Sequence, residues 1–262
     1  MFKVTLGSDP ELFLKNAEGK IVSAIGKIGG TKNKPRPLKD LGKGYFVQED
    51  NVLLEYNTPI AKHPGQWEDQ FKTVKAYLAE MVGQHGLQLA NIASHSMPED
   101  EMQHPRAWVF GCEPDFNVWD LKMNPSPVAA DPLLRSAGGH IHVGVEDPSP
   151  ANMIRLGRIL DVFIGAPLAA VDKDKRRREL YGKAGAIRFK PYGLEYRTPS
   201  NYWTFDKNNI LAVYYNVCSA MDFAKHGLDP DLMQNAKDFI NGDTDNFDSE
   251  YVHKNFGVEG FV

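Results

Sequence analysis

Residues 135–145 read Arg-Ser-Ala-Gly-Gly-His-Ile-His-Val-Gly-Val. Two histidines, His140 and His142, stand one residue apart between a glycine pair and an apolar valine run. In a β-strand, residues i and i+2 point to the same face. Both imidazoles are therefore expected on one side of a sheet, where a metal or an anion would give them a use.

The same spacing recurs elsewhere in the chain. "GSDPELFL" carries Asp9 and Glu11 two apart, and "GCEPDFNVW" carries Glu113 and Asp115 two apart. "GLEYRTP" carries Glu195 and Arg197 two apart, and "LLEYNTP" embeds Glu55 in an apolar run. A single such acid fits a strand with one wet face. Acids within Phe, Val, Leu and Trp runs on several strands are harder to explain that way, because carboxylates are seldom buried unless paired or metal-bound.

Short strand-like runs dominate the first sixty residues, with alternating polarity and turn residues between them. A helix is expected near residues 65–84, where Trp67, Phe71, Val74, Leu78, Met81 and Val82 recur at helical spacing. "GLQLANIAS" and "RAWVFGCEPDFNVWD" read as strands. A second helix is expected from Ser149 as N-cap and Pro150 as first helical residue, kinked or ended by Pro167. Two more helices are expected in "NNILAVYYNVCSAMDFAK" and "DPDLMQNAKDFI". Strands that cluster early with helices interspersed singly predict an α+β fold on an antiparallel sheet. We expect one catalytic domain over residues 1–240 and a loosely held acidic tail over 241–262.

With 262 residues, 42% hydrophobic and 24% charged, the chain can build a sizeable core. A net charge of -4 gives no general reason to bind nucleic acid. The two cysteines, Cys112 and Cys218, are too few for a disulfide framework and suit a reducing cytoplasm. The first residues lack signal-peptide architecture, and no apolar run approaches the ~20 residues that span a bilayer. A cytoplasmic protein without a membrane partner is expected.

A ring of carboxylates repels itself at neutral pH, so a cation must compensate or the acids take up protons. Oxygen-rich clusters suit Mg2+ or Mn2+, whereas the His-x-His pair alone would also make a Zn2+ half-site. Basic residues are plentiful nearby in sequence. Residues 173–197 include Lys183, Arg188 and Arg197, and residues 27–44 add six more cations in a Gly- and Pro-rich stretch. Arg188 and Arg197 fall in strand-like runs, where an arginine can clamp phosphate or carboxylate. Neither a P-loop pattern nor G-x-G-x-x-G is present.

The ordered set "GSDPELFL … LLEYNTP … GCEPDF … GGHIHVG … RELYGKAGAIRFKPYGLEYRTPSNYW" resembles the carboxylate–amine ligases of the glutamine synthetase and glutamate–cysteine ligase superfamily. It is most similar to the small phage-type COOH–NH2 ligases, or amidoligases. The resemblance spans about residues 5–203. It implies a curved antiparallel sheet forming a funnel-shaped active site, with helices packed outside. ATP would enter one end and the acceptor carboxylate the other. It further implies metal ligands at Glu11, Glu55, Glu113, His140 and Glu195, and nucleotide contacts from His142, Lys183, Arg188 and Arg197. Arg197, Arg188 and Glu55 would carry the catalysis, with Mg2+ or Mn2+ bridging the phosphates. Asp9, Glu49 and Asp115 are weaker candidates. The Gly- and Lys-rich stretch 29–44, expected to be an exposed loop, is the candidate lid, and a phage origin would place the protein in the host cytoplasm.

Two other readings stay open at this point. One is a metal-dependent hydrolase, with zinc on His140 and His142 and Glu113 as base. The other is a non-catalytic binding relative of the ligase fold. The substrates expected for the ligase are small-molecule or peptide carboxylates and amines, and neither their identity nor the oligomeric state is written in the sequence.

Overall fold

A computed structural model describes residues 4–109 and 114–262 of the chain. Glu113, with Cys112, lies outside the described residues.

The architecture turns on one bent strand. Strand β1 (Thr5–Ser8) runs through Pro10 into β2 (Glu11–Lys15). Proline cannot donate to a ladder, so the strand breaks its pairing there and changes direction. β3 (Ile21–Val22) pairs with β2, and β4 (Arg36–Pro37) pairs with β5 (Phe46–Asp50), which forms a hairpin with β6 (Leu53–Asn57). β6 lies beside β2, and its continuation follows β1 through Thr58 and Ala61. Helix α1 (Pro64–Gly83) packs behind, followed by β7 (Gln88–Ala90) and β8 (Ser94–Ser96).

The second half of the sheet comes later in the chain. β9 (Phe116–Asn117) and β10 (Lys122–Met123) form its far edge, and β11 (Leu134–Ser136) pairs with β8. β12 (Ile141–Gly144) pairs with β1 on one side and with β14 (Gly193–Tyr196) on the other, and β14 pairs with β13 (Ala186–Lys190). All these pairings are antiparallel, and the bent strand joins the two six-stranded halves into one curled sheet. The α+β fold with a curved antiparallel sheet is thus borne out.

Helices cover the convex side. α2 (Pro150–Leu160) passes through a π turn at Asp161–Gly165 directly into α3 (Ala166–Val171). Pro167 therefore neither ends nor breaks the segment. The wide turn falls just before it, so Pro167 occupies a first-turn position where no donor is required. A short helix, α4 (Arg177–Leu180), precedes β13, and α5 (Lys207–His226), α6 (Pro230–Asn241) and α7 (Ser249–Phe256) complete the chain. Trp67 and Phe71 of α1 pack against Trp203, with the two indoles stacked 5.9 Å apart. All three side chains are buried. No helix among the described residues is long and apolar enough to cross a membrane.

Three local expectations need correction. Residues 105–108 form a 3-10 turn and not a strand, because Pro105 starts a turn capped by the His104 imidazole. The stretch 29–44 is not one uninterrupted loop, since Arg36–Pro37 pairs with β5, Leu38 is buried and Lys39–Leu41 is a 3-10 turn. The tail is not loosely held either. Val252 and Val258 are buried, and two asparagines of α5 grip the last residues. Asn209 exchanges two hydrogen bonds of 2.8 Å with the Val262 backbone. Asn216 accepts from the Glu259 N–H at 2.7 Å and donates to the Glu259 and Phe163 carbonyls.

Asn216 has no solvent exposure. Its replacement by alanine leaves the buried Phe163 carbonyl and the part-buried Glu259 N–H and carbonyl without this partner, at about 1–3 kcal/mol for a buried unsatisfied polar group. Asn216→Ala is expected to lose about 3 kcal/mol in urea denaturation, with early proteolytic loss of the last residues.

Candidate active site

Strand register places the polar residues on the concave face in two rows. Gly7, His142, Glu195 and Arg188 are successive cross-strand partners through β1, β12, β14 and β13. Glu11, Glu55 and Gln48 form the second row through β2, β6 and β5. Partners directly opposite one another share a face. Residues two along each strand join them, which adds Asp9, Asp50, Lys190 and Arg197. The result is a polar cleft of about 250 Å3 lined by the acids of both rows, by Gln48, His140, Arg188, Lys190 and Arg197, and by Lys32.

Two donor sets stand in it. Asp9, His142 and Glu195 form one, and Glu11, Asp50 and Glu55 form the other, each with its ligand atoms within 4.8 Å of one another. Asp9 Oδ1 lies 3.1 Å from His142 Nε2 and 3.3 Å from His140 Nδ1. Burial pushes the Asp9 carboxyl up, but the two imidazoles outweigh it and hold the carboxyl well below its usual range. His142 is correspondingly raised against its own burial, chiefly by Asp9. Glu195 is buried and faces Asp9, yet Arg197 and both histidines bring it down to about 2. Lys190 Nζ sits 2.7 Å from its second oxygen.

In the second set Lys32, His140 and Arg197 act on Asp50, but burial and like charge outweigh them. Burial and the neighbouring Asp9, Asp50 and Glu11 push Glu55 well above the usual carboxylate range. Burial and Glu11 raise Asp50 to about 6. Gln48 donates to Glu55 at 2.7 Å, and the Gly138 N–H donates to Glu11 at 2.6 Å.

The glycine pair before the histidines has a steric cause. A Cβ on Gly138 would lie 2.3 Å from His140 Nε2. One on Gly139 would lie 2.4 Å from the Ser200 carbonyl and 2.5 Å from Trp203 Nε1. Only glycine lets the chain pass beneath the ring and against the 199–203 segment.

A web of cations borders the acids. Arg197 pairs with Glu195, and its Nε lies 2.6 Å from Asp115. Arg188 stands 3.5 Å from Glu195 and 3.7 Å from Asp115. His140 faces the Arg197 guanidinium at 3.1 Å. Buried Arg177 donates to the carbonyls of Ala137, Arg197 and Thr198, and so ties the approach to His140 to the end of β14.

Of the residues singled out in the sequence, the structure gathers Asp9, Glu11, Glu55, His140, His142, Arg188, Glu195 and Arg197 around one cleft. Asp115 adjoins it through the arginines. His140 Nδ1 faces Asp9 and Glu195 as well as Arg197, so it stands beside the first donor set. Two are placed elsewhere. Lys183 is exposed in a separate cleft beside Glu179 and Asp243, because the turn at Gly182 and Gly185 carries it past the sheet edge. Glu49 points away from the cleft. Its Oε1 accepts from the N–H groups of Gly26, Ile28 and Gly29, and Arg106 meets its other oxygen at 2.9 Å. The β5–β6 hairpin turns at Asn51 and Val52, opposing Gln48 and not Glu49 to Glu55. Asp50 therefore faces the cleft, and a one-residue register step explains the exchange. Asp50, Lys190 and Arg177 were not anticipated. Lys190 was legible, being two residues beyond Arg188 on the same strand.

The donor set fits a hard divalent cation. It is rich in carboxylate oxygens with one imidazole, and Asp9 Oδ1 and His142 Nε2 face each other at 3.1 Å, largely buried, with Glu195 beside them. The self-repelling acids of the second set need positive charge to ionise together.

Comparison with known proteins agrees with the motif resemblance. Residues 132–251 match the family described as phage phiEco32-like COOH.NH2 ligase-type 2. The expected kinship with phage-type COOH–NH2 ligases is borne out over this stretch, which carries the His-x-His and Glu-x-Arg strands. Sequence comparison with curated proteins finds no match. Among solved structures, the bifunctional glutathione synthetase from Pasteurella multocida is similar with a TM-score of 0.51 at 11% identity, over 92% of this chain and 40% of that one. A GmaS–ADP complex gives 0.45 at 14% identity, over 85% of this chain and 56% of that one. Ligand-free GmaS gives 0.48 at 16%, over 98% and 66%. The chain spans between 40% and 66% of the length of these structures, and the first of them supports the fold alone.

The raised Asp50 carboxyl makes a stability prediction for the metal-free protein. A carboxyl whose folded pKa exceeds its unfolded value binds more protons when folded. Stability therefore falls as pH rises from about 4 to about 6. Asp50→Asn removes that penalty. In EDTA it should be more stable than the wild type by roughly 1 kcal/mol at pH 7.5 and indistinguishable at pH 4, as read by chemical denaturation.

Proposed function

We propose that this protein is an ATP-dependent carboxylate–amine ligase, which uses Mg2+ or Mn2+ and joins a carboxylate to an amine through an acyl phosphate. The observation that carries the reading is the pair of acid donor sets facing one cleft with Arg188, Lys190 and Arg197 beside them. A zinc hydrolase built on the His-x-His pair would leave the basic residues beside Glu195 without a use, whereas two oxygen-rich sets flanked by guanidinium groups suit transfer of a phosphoryl group between anions.

The chemistry explains the charges. A carboxylate and an amine do not condense in water, because hydroxide is a poor leaving group. Bound divalent cations would neutralise the nucleotide phosphates and orient them. Asp9, His142 and Glu195 are the residues that would hold one ion, and Glu11, Asp50 and Glu55 the other. Arg197 and Arg188 are placed to offset the charge on the transferring group and on the incoming carboxylate. Glu55 is the carboxylate offered to take the proton the amine must lose. Water must be excluded while the acyl phosphate exists. The stretch after Gly29 is the candidate cover. Its base is pinned by Glu49 while Lys32 lines the cleft.

Two recesses adjoin the histidines. Beyond His142, an apolar recess of about 330 Å3 is formed by Thr5, Gly7, Thr58, Ile60, Gly144 and Tyr192. It suits the base of the nucleotide. Beyond His140, a smaller recess is bordered by Ser136, Arg135, Arg177, Tyr181 and Arg197. It suits the anionic acceptor. The substrates are taken to be small-molecule or peptide carboxylates and amines, with no membrane or nucleic acid involved, in a cytoplasmic setting.

The deciding experiment is a screen of carboxylates with hydroxylamine as amine, scoring ADP and hydroxamate together. Hydroxamate formed in step with ADP supports the reading; ADP production with water as acceptor under every condition makes the protein an ATPase. Without a known substrate, melting temperature serves. Mg2+-ATP should stabilise the wild type, and Glu195→Gln and Glu55→Gln should each lose that response while remaining folded. If both variants respond as the wild type does, the acids do not hold the metals.

Arg197→Lys keeps the charge but cannot span Glu195 and Asp115 with one planar group. Turnover is expected to fall at least 100-fold, and activity near the wild-type level would assign Arg197 a purely structural part.

A further inference from the structure

Behind the site, on the convex side, stands a carboxyl that the chemistry above does not use. Asp161 has no solvent exposure and opens the π turn between α2 and α3. Its Oδ2 accepts from Trp119 Nε1 at 2.7 Å, and its Oδ1 accepts from the Tyr196 hydroxyl at 2.7 Å and the Thr198 hydroxyl at 3.5 Å. The Gly185 N–H also points to it. Burial raises the carboxyl to about 6 against these donors.

The four donors come from three stretches of the chain. Trp119 follows β9, Gly185 leads into β13, and Tyr196 and Thr198 belong to β14 and its exit. On their opposite face these elements carry Asp115, Arg188, Glu195 and Arg197. Alternation makes this unavoidable: with Glu195 and Arg197 facing the cleft, Tyr196 must face the helices.

The surroundings are shaped for this contact. A Cβ on Gly165 would meet the Tyr196 oxygen at 2.3 Å, and one on Gly185 would meet Trp119 Cδ1 at 2.5 Å. Arg158 lies 5.3 Å and Lys237 5.8 Å from the centre of the Trp119 ring, and Arg158 also donates to the Val118 carbonyl at 2.8 Å. An apolar residue would fill position 161 without any buried-charge cost, so a carboxylate there calls for a function.

We infer that Asp161 is a positioning residue: from behind the sheet it fixes the spacing of β9, β13 and β14, and thereby the geometry of the Asp9–His142–Glu195 cation site. The inference rests on the proposed function, since it assumes that this set binds a metal. It also makes a selective demand. The Glu11–Asp50–Glu55 set lies on β2, β5 and β6, which Asp161 does not touch. Losing Asp161 should therefore damage one cation site and spare the other, which general destabilisation would not do.

The test is Mn2+ binding to the full chain, followed by electron paramagnetic resonance with no nucleotide or turnover required. Glu195→Gln and Glu55→Gln assign the two sites. In Asp161→Asn, where an amide must turn an N–H toward the Trp119 or Tyr196 donor, the Glu195-dependent site should weaken about 10-fold, the low end for loss of a supporting group. The Glu55-dependent site should keep its affinity. Tyr196→Phe cuts the tie to β14 alone and should give the same selective weakening, so it replaces Asp161→Asn if that variant does not fold. Unchanged affinity at both sites, or equal weakening of both, overturns the inference while leaving the functional reading intact. A wild type that binds no Mn2+ at either site overturns both.

Discussion

Repulsion among the carboxylates of the concave face is the constraint on which the rest of the structure depends. Asp9, Glu11, Asp50, Glu55 and Glu195 converge on one cleft. At neutral pH they can ionise together only if positive charge is supplied. The protein's own cations prevail on one side only. Glu195 and Asp9 are held low by Arg197 and the histidines, while Glu55 and Asp50 are driven up. The asymmetry is what a site would show if it kept one anion-facing arginine wall permanently in place and relied on ligands to complete the other side.

Holding such a cluster requires stiffness elsewhere. The sheet meets this need from both faces and from its edge. The bent strand at Pro10 brings Asp9 and Glu11 into different halves of the sheet while keeping them two residues apart. Arg177 gathers three carbonyls from the segments that lead to His140 and away from Arg197. Asn201, wholly buried, donates to the carbonyls of Glu11 and Ile92. The large aromatic cluster of Trp67, Phe71 and Trp203 stands directly behind Gly139, whose carbonyl accepts from the Trp203 indole. The anionic face is thus backed by dense apolar packing and by satisfied polar joints.

The parts legible in the sequence were those governed by strand alternation. Spacing of two put Asp9 with Glu11, His140 with His142 and Glu195 with Arg197, and the structure places each pair on the cleft side. What alternation cannot supply is register between strands. Glu49 and Asp50 differ by one step in a hairpin whose turn length was unknown, and that step decides which carboxyl enters the cleft. Lys183 failed for a related reason: two glycines at positive φ turn the chain before β13 begins, so proximity in sequence to Arg188 did not become proximity in space. Residues such as Asp161 and Arg177 were invisible because their partners lie far away in sequence. Asp161 reaches Trp119 and Tyr196 across 42 and 35 residues. Nothing in an apolar helix or a run of arginines announces which polar group will be buried.

The two faces of β14 bring these threads together. Glu195 and Arg197 look into the cleft, and Tyr196 looks back to Asp161. A pleated strand cannot shift one set without shifting the other, because successive side chains share one backbone. Any adjustment of Glu195 and Arg197 is felt at the π turn between α2 and α3, and any rearrangement of that turn is felt at the pair. The π turn is the wider and less regular part of an otherwise continuous helical segment, and such turns often mark functional sites. It puts an acceptor of four hydrogen bonds where a regular apolar helix would present none. On this view the helix layer does more than cover the sheet. It sets the separation of the strands that carry opposite charges, which is the quantity an anion-handling site must hold constant while its ligands come and go.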